Sequence, residues 1–241
     1  VAHDFNNLLT VINGYSDMML MMNLPEQFLN PVKEIQHAGE KATRLTSQLL
    51  AFSRKQIIQP KPLNLNDHVN DQMKMLGRLL GENIEIAVLL SPDLGLIKAD
   101  DGQLDQIIMN LAINARDAMP YGGKLTIETA NKEFDREYLK THAGARAGKF
   151  VMLAISDTGT GMSRETKRRI FEPFFTTKSR DKGTGLGLAM VYGIVKQNNG
   201  FIYVYSEEEI GTSIKIYLPL LAEKLIEKNA EQQVDSVLSG H

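Results

Sequence analysis

The chain has 241 residues, which at roughly 150 residues per domain is one large or two small domains. With 43% apolar and 23% charged residues it has the make-up of a globular protein, and wholesale disorder is excluded. A net charge of −2 argues against nucleic-acid binding driven by bulk positive charge, and the lack of cysteine excludes disulfide scaffolds, zinc–thiolate sites and thiol nucleophiles.

No apolar run approaches the ~18 residues of a membrane span, and no signal peptide opens the chain. It starts on Val1-Ala2-His3 without an initiating methionine, so it reads as a soluble, cytoplasmic piece of a longer protein, one whose full length could be membrane-anchored. Phe5, Leu8, Ile12, Tyr15, Met19 and Met22 then recur at spacings of three and four. After Asn23-Leu24-Pro25 the stripe restarts with Phe28, Val32, Ile35, Ala38, Ala42, Leu45, Leu49 and Phe52. This predicts two helices joined by a short connection, an antiparallel hairpin with Pro25 suited to the start of the second helix. Two helices alone bury too little surface, so the hairpin is expected to pair with a second copy as a four-helix bundle.

Pro60 and Pro62 end the helical pattern and mark a domain boundary. Beyond them the pattern predicts helices near 66–80, 101–118 and 186–198, and strands near 83–90, 123–131, 149–156, 201–206 and 212–218. Residues 131–148 read as an insertion or long hairpin loop, and 157–187 as a glycine-rich stretch. The expected architecture is α+β, helices set apart from a largely antiparallel sheet. The domains are 1–58, a helical hairpin; 59–221, the α/β sandwich; and 222–241, a terminal helix or linker.

Asn110, Asn114 and Asp117 fall on one helix face, opposite Ile108, Leu111, Ala112 and Ala115, which can bury against a sheet. Amides in such a row can orient a hydrated metal ion and phosphates, although a solvated polar face would look the same. Asp157-Thr158-Gly159-Thr160-Gly161 follows the apolar strand Val151–Ile155, and a carboxylate there with alternating glycines suits an amino-bearing ring, or simply a tight turn. Gly183-Thr184-Gly185-Leu186-Gly187 precedes an apolar helix, where bare backbone N–H groups form an anion site. The wording is neither a dinucleotide fingerprint nor a P-loop.

Taken in order, these segments resemble the bacterial sensor histidine kinases, whose ATP-binding fold is shared with gyrase, Hsp90 and MutL. The resemblance covers about residues 1–220. His3-Asp4-Phe5-Asn6-Asn7-Leu8-Leu9 is similar to the phosphoacceptor box, Asn110–Asn114 to the N box, and Asp157–Gly161 to the first glycine box. Phe171-Glu172-Pro173-Phe174-Phe175-Thr176-Thr177-Lys178 is similar to the F box of the lid, and Gly183–Gly187 to the second glycine box. The wording of the first and fourth motifs resembles the nitrogen-regulation and hybrid branch. Two stretches depart from the family pattern: Ser206-Glu207-Glu208-Glu209-Ile210-Gly211-Thr212 lacks a proline and a glycine, and Asn198-Asn199-Gly200 replaces a more glycine-rich turn.

The resemblance implies an ATP-dependent protein-histidine kinase that phosphorylates itself and passes the phosphoryl group to an aspartate of a response regulator or fused receiver domain in two-component signalling. His3 would be the phosphoacceptor, a neutral nucleophile near pH 7, with Asp4 fixing its tautomer and taking its proton. Asn7 is the family's position for orienting water in members that also act as phosphatases. ATP would be held by Asn110, Asn114, Asp117, Asp157, Gly159, Gly161, Phe171, Lys178, Gly183, Thr184, Gly185, Leu186 and Gly187. Asn114 would be a ligand of Mg²⁺, Asp157 would meet the adenine amino group, and Lys178 is either a charge for the phosphates or a solvated lid lysine. The implied assembly is a homodimer with an upstream sensor module, without nucleic acid or membrane contact from this segment. A dedicated ATPase is disfavoured because an amide at Asn110 cannot act as general base; a degenerate kinase that only binds nucleotide and dimerises is disfavoured by the intact motifs. The segment from Met162 to Gly183, with Phe171, Phe174 and Phe175 gathered around Pro173, is expected to be mobile without nucleotide and to dock through these rings when ATP binds.

Overall fold

In the computed structural model, the backbone is described for residues 2–22, 24–53, 59–135, 137, 146–178 and 183–221, and the side chains for the same residues except 2–7, 41 and 44–53. The expected terminal helix over 222–238 and most of the 135–147 connection lie outside the described residues. The chain divides into two compact units, Val1–Ile58 and Gln59–His241.

The first unit is a hairpin of α1 (Ala2–Met21) and α2 (Glu26–Ser53). Its internal seam shares Val32 with the predicted stripe and otherwise runs beside it. Leu9, Ser16 and Val32 are buried between the helices, and Gly39 lies close enough to Asn13 that a methyl group on the glycine would overlap the Asn13 side chain. Asn13 donates to Thr43 Oγ1 at 3.2 Å, and Thr43 donates to Gly39 O at 2.9 Å. Gln36 and Asp17 are also bonded across the hairpin. Of the predicted stripe, Leu8 and Tyr15 are each 62% exposed, and Ile12, Met19, Met22, Phe28 and Ile35 are exposed as well. The two helices therefore meet along Leu9, Val32 and small and polar residues, and the exposed apolar side chains of the stripe form a separate open face.

The second unit begins with β1 (Lys61–Leu63), which pairs antiparallel with β3 (Ile97–Ala99). Neither short strand is evident from periodicity. Between them lie α3 (Leu65–Leu80), capped by Asn64, and β2 (Ile84–Leu89). Asp100 follows β3 and caps α4 (Asp101–Ala118): its Oδ1 accepts from Gln103 N–H at 3.2 Å, while its Oδ2 accepts from Gln59 N–H at 3.1 Å. Lys61 pairs with the adjacent Asp101.

The main sheet adds β4 (Gly123–Phe134), β5 (Gly148–Asp157), β6 (Phe201–Glu207) and β7 (Gly211–Pro219), in the order β2-β4-β5-β7-β6. β2 runs parallel to β4; the other pairings are antiparallel. Two further helices are α5 (Arg164–Arg169), inside the glycine-rich stretch, and α6 (Gly187–Gln197). Alternation along β5 divides the sheet into two faces. Val151, Leu153 and Ile155 join the core formed with α3, α4 and α6, while Phe150, Met152 and Ala154 join an aromatic cluster with Phe134, Phe201 and Tyr217 on the other face. The inner face fixes α4, whose Leu104, Ile107, Ile108, Leu111, Ala112 and Ala115 are buried. Its opposite, polar face is thereby held outward. Among the described residues, no helix is long and apolar enough to cross a membrane.

Candidate active site

Asp157 is the last residue of β5, where the strand leaves the core. Burial pushes its carboxyl above the ordinary value of 3.8, and the backbone N–H groups of Gly159 and Thr212 donate to it and oppose the rise. The Gly159 bond is 2.9 Å. Gly159 must be glycine for a steric reason: a Cβ there would stand 2.6 Å from Ala118 O, at the end of α4. Thr160 N–H donates to that same carbonyl at 3.0 Å, so the first glycine motif is stitched to the helix that carries the amides.

Gly161, at φ +66, lies against the backbone of Glu207, and Glu209 N–H donates to Thr160 O at 2.8 Å. The turn between β6 and β7 thus packs on the glycine motif. Thr212 is registered opposite Asp157 in the β5–β7 ladder, and its hydroxyl lies 2.8 Å from Ser206 Oγ. This stretch, which departs from the family pattern, contributes a backbone bond to the Asp157 carboxylate. The Gly211-Thr212 pair was the signal available for it.

On α4, Asn110 donates to Gln106 O at 2.8 Å, which turns its Oδ1 toward Gly187. Asn114 Oδ1 accepts from Lys178 Nζ at 3.3 Å, and Asp117 Oδ2 accepts from the same ammonium at 2.6 Å. Arg116 bonds Asp117 Oδ1 at 3.0 Å. Burial alone would raise the Asp117 carboxyl, but the bonds and charges of Lys178 and Arg116 outweigh it and hold the group below its ordinary value.

The second glycine motif leads into α6, whose N-terminus has no side-chain cap bond. Helix-start amides without a side-chain cap suit an anion. Leu186 is fully buried, so it can serve the site only through its backbone. Gly185, at φ +66, lies against the Phe174 carbonyl group, and Phe174 N–H donates to Gly185 O at 3.0 Å. Thr184 Oγ1 accepts from Leu186 N–H at 3.5 Å, and a Cβ on Gly183 would press on Thr176 and Lys178. The three lid phenylalanines do not form one cluster. Phe171 packs on Tyr192 with ring centroids 5.1 Å apart, Phe175 lies under the Arg169 guanidinium at 4.4 Å, and Phe174 is 62% exposed. His3, Asp4 and Asn7 stand on the first two turns of α1, with side chains outside the described residues.

The donor set fits a magnesium ion that arrives with a ligand. Asn110, Asn114 and Asp117 offer oxygens on one face, and the Asn114–Asp117 pair already accepts a cation from Lys178. Among the described residues no cluster of three or more His, Cys, Asp or Glu forms a metal centre by itself. Magnesium takes few protein oxygens and keeps water and phosphate in its shell.

A family model described as "Histidine kinase-, DNA gyrase B-, and HSP90-like ATPase" matches residues 99–222, and one described as "His Kinase A (phospho-acceptor) domain" matches residues 1–57. Sensor kinase CckA of Brucella abortus is 45% identical over 225 residues, 93% of this chain and 24% of the relative. Sensor histidine kinase ZraS of Salmonella typhi is 28% identical over 92% of this chain and 45% of its own length. The chain thus spans between a quarter and a half of these curated relatives. Among solved structures, full-length ShkA in complex with AMPPNP shares the fold with a TM-score of 0.69 at 24% identity, over 92% of this chain and 45% of that one. Mycobacterial sensor histidine kinase MprB shares it with a TM-score of 0.54 at 24% identity, over 67% of this chain and 98% of that one. The chain belongs to the bacterial two-component sensor histidine kinases, as a catalytic core that joins a phosphoacceptor domain to an ATP-binding domain.

Proposed function

We propose that this core transfers the γ-phosphoryl group of ATP to His3 and then yields it to an aspartate of a response regulator or fused receiver domain. The observation that carries the reading is a convergence around the end of α4. A half-buried carboxylate, Asp157, is stitched through Gly159 and Thr160 to the helix that carries Asn110, Asn114 and Asp117, and the uncapped start of α6 stands beside Asn110. Asp157 accepts from the adenine amino group, and the bare amides at Gly187 receive phosphate oxygens. Asn114 would hold magnesium, which when bound would supply charge neutralisation for the triphosphate. At His3, a nitrogen–phosphorus bond forms as the bond from the γ-phosphorus to the bridging oxygen breaks. ADP leaves with that electron pair and Asp4 takes the ring proton. Asn110 offers no base for water, which favours transfer over hydrolysis.

The open apolar face of the hairpin supports a homodimer. Leu8, Ile12, Tyr15, Met19, Phe28 and Ile35 are exposed together, and their spacing is that of a four-helix seam. An upstream sensor module would act through this bundle. The test is incubation with γ-labelled ATP and magnesium, with the label expected as an acid-labile, alkali-stable phosphoprotein. His3→Gln is expected to lose the label while retaining nucleotide binding, and label retained in that variant refutes His3 as acceptor.

A further inference from the structure

Two oxygens on the amide-bearing face of α4 already share a cation, and that cation comes from the lid. Lys178 Nζ lies 2.6 Å from Asp117 Oδ2 and 3.3 Å from Asn114 Oδ1. The pair is substantially shielded, with the Lys178 and Asp117 side chains 32% and 26% exposed. Arg116 holds the other carboxylate oxygen, so the acceptor is fixed before Lys178 reaches it. The segment around Lys178 is also closed locally: its N–H donates to Thr176 Oγ1 at 3.1 Å, and Gly183 packs against both residues.

Resting on the proposed role of Asn114 toward magnesium, we infer that Lys178 is a positioning residue that fills the cation position of Asn114 and Asp117 in the nucleotide-free protein, so that magnesium entering with nucleotide displaces it and releases the lid from α4. The ammonium and a divalent ion cannot share Asn114 Oδ1. They would stand a few ångströms apart as like charges in a partly shielded site, where repulsion is strong. The exchange of a flexible ammonium for a hard dication keeps the acceptors satisfied in both states. Lid release is then keyed to the metal and not to the adenine, because the base meets Asp157 and touches neither partner of the Lys178 pair.

The experiment is amide hydrogen exchange on the full chain under four conditions: no ligand, magnesium alone, AMPPNP with a metal chelator, and AMPPNP with magnesium. The expected result is that exchange at 174–178 stays within about twofold of the unliganded rate with chelator, and rises by at least about tenfold when magnesium joins the nucleotide, slower exchange overturning the inference. Lys178→Met without ligand is expected to show exchange at 174–178 at least about tenfold faster than wild type, with 151–156 in β5 unchanged as the check on folding. Equal responses to AMPPNP with and without magnesium overturn the inference, as does a Lys178→Met variant that exchanges like wild type. AMPPNP that fails to bind, measured separately by calorimetry, overturns the nucleotide reading itself.

Discussion

Gly187 stands so close to Asn110 that a methyl group on the glycine would lie 3.0 Å from Asn110 Oδ1. The amide cannot retreat freely, because its nitrogen donates to Gln106 O at 2.8 Å. Gly187→Ala therefore exchanges one property for another. It gains about 0.5–1 kcal/mol of helix propensity at the start of α6 and pushes Asn110 off its bond. The expected outcome is near-neutral thermal stability with nucleotide affinity lowered roughly tenfold, about 1.4 kcal/mol, read by calorimetry.

Gly185→Ala is expected to be worse, and for a backbone reason. Gly185 has φ +66 and its missing side chain would overlap the Phe174 carbonyl group. The left-handed conformation alone costs a residue with a Cβ about 1–2 kcal/mol. Loss of the Phe174–Gly185 bond should appear as faster protease cleavage between 170 and 187, with the unfolding temperature of the sheet little changed.

Two carboxylates in the site titrate in opposite senses. Asp157 is raised by burial, so its folded form binds a proton more tightly than the unfolded chain does. Stability is lost as pH rises from the ordinary value of 3.8 through the folded one, and Asp157→Asn removes that loss. Asp117 is lowered by Lys178 and Arg116 against the opposing effect of burial. Its contribution is present above 3.8 and lost as pH falls through the folded value. Carboxyl carbon NMR should show the Asp157 midpoint above, and the Asp117 midpoint below, that of an unfolded reference. At neutral pH Asp157→Asn should be at least as stable as wild type yet bind adenine nucleotides roughly ten- to a hundredfold more weakly, since a hydrogen bond to a charged acceptor contributes about 1.5–3 kcal/mol.

In the hairpin, Gly39→Ala should destabilise the first unit by about 1–3 kcal/mol through overpacking, because the new methyl group meets the Asn13 side chain. Asn13→Ala removes the obstacle, so the double variant should recover most of the loss. A double-mutant cycle by thermal unfolding that returns additive effects contradicts this packing.

The helices with a regular apolar stripe and the strands of the main sheet are legible from sequence, since a period of 3.6 survives in α4, a period of 2 in β4, and β5 is a continuous apolar run. β1 is three residues with a proline, and α5 is six residues without one buried side chain, so neither carries a period. In the hairpin the stripe forms an open apolar face, while the part of the internal seam through Ser16, Asn13, Gly39 and Thr43, beside Leu9 and Val32, is not revealed by hydrophobicity. In the site, glycines that allow close approach are visible as motifs. The bond from Thr212 to Asp157 is not, because the β5–β7 register creates it. Nor is the meeting of Lys178 with Asp117, which depends on where the lid folds back. Phe171 is legible as an aromatic anchor but not as a partner of Tyr192.

Asp100 spends one carboxylate on two backbones: Oδ1 holds the first turn of α4 and Oδ2 holds Gln59. Gln59 is the first residue of the second unit. Together with the Lys61–Asp101 pair, this bond ties the start of the second unit to the start of α4 without crossing the sheet. Asn110 and Asn114 ride on the same rod, some 15–20 Å further along at about 1.5 Å per residue. The carboxylate that starts this helix therefore also fixes where the second unit begins.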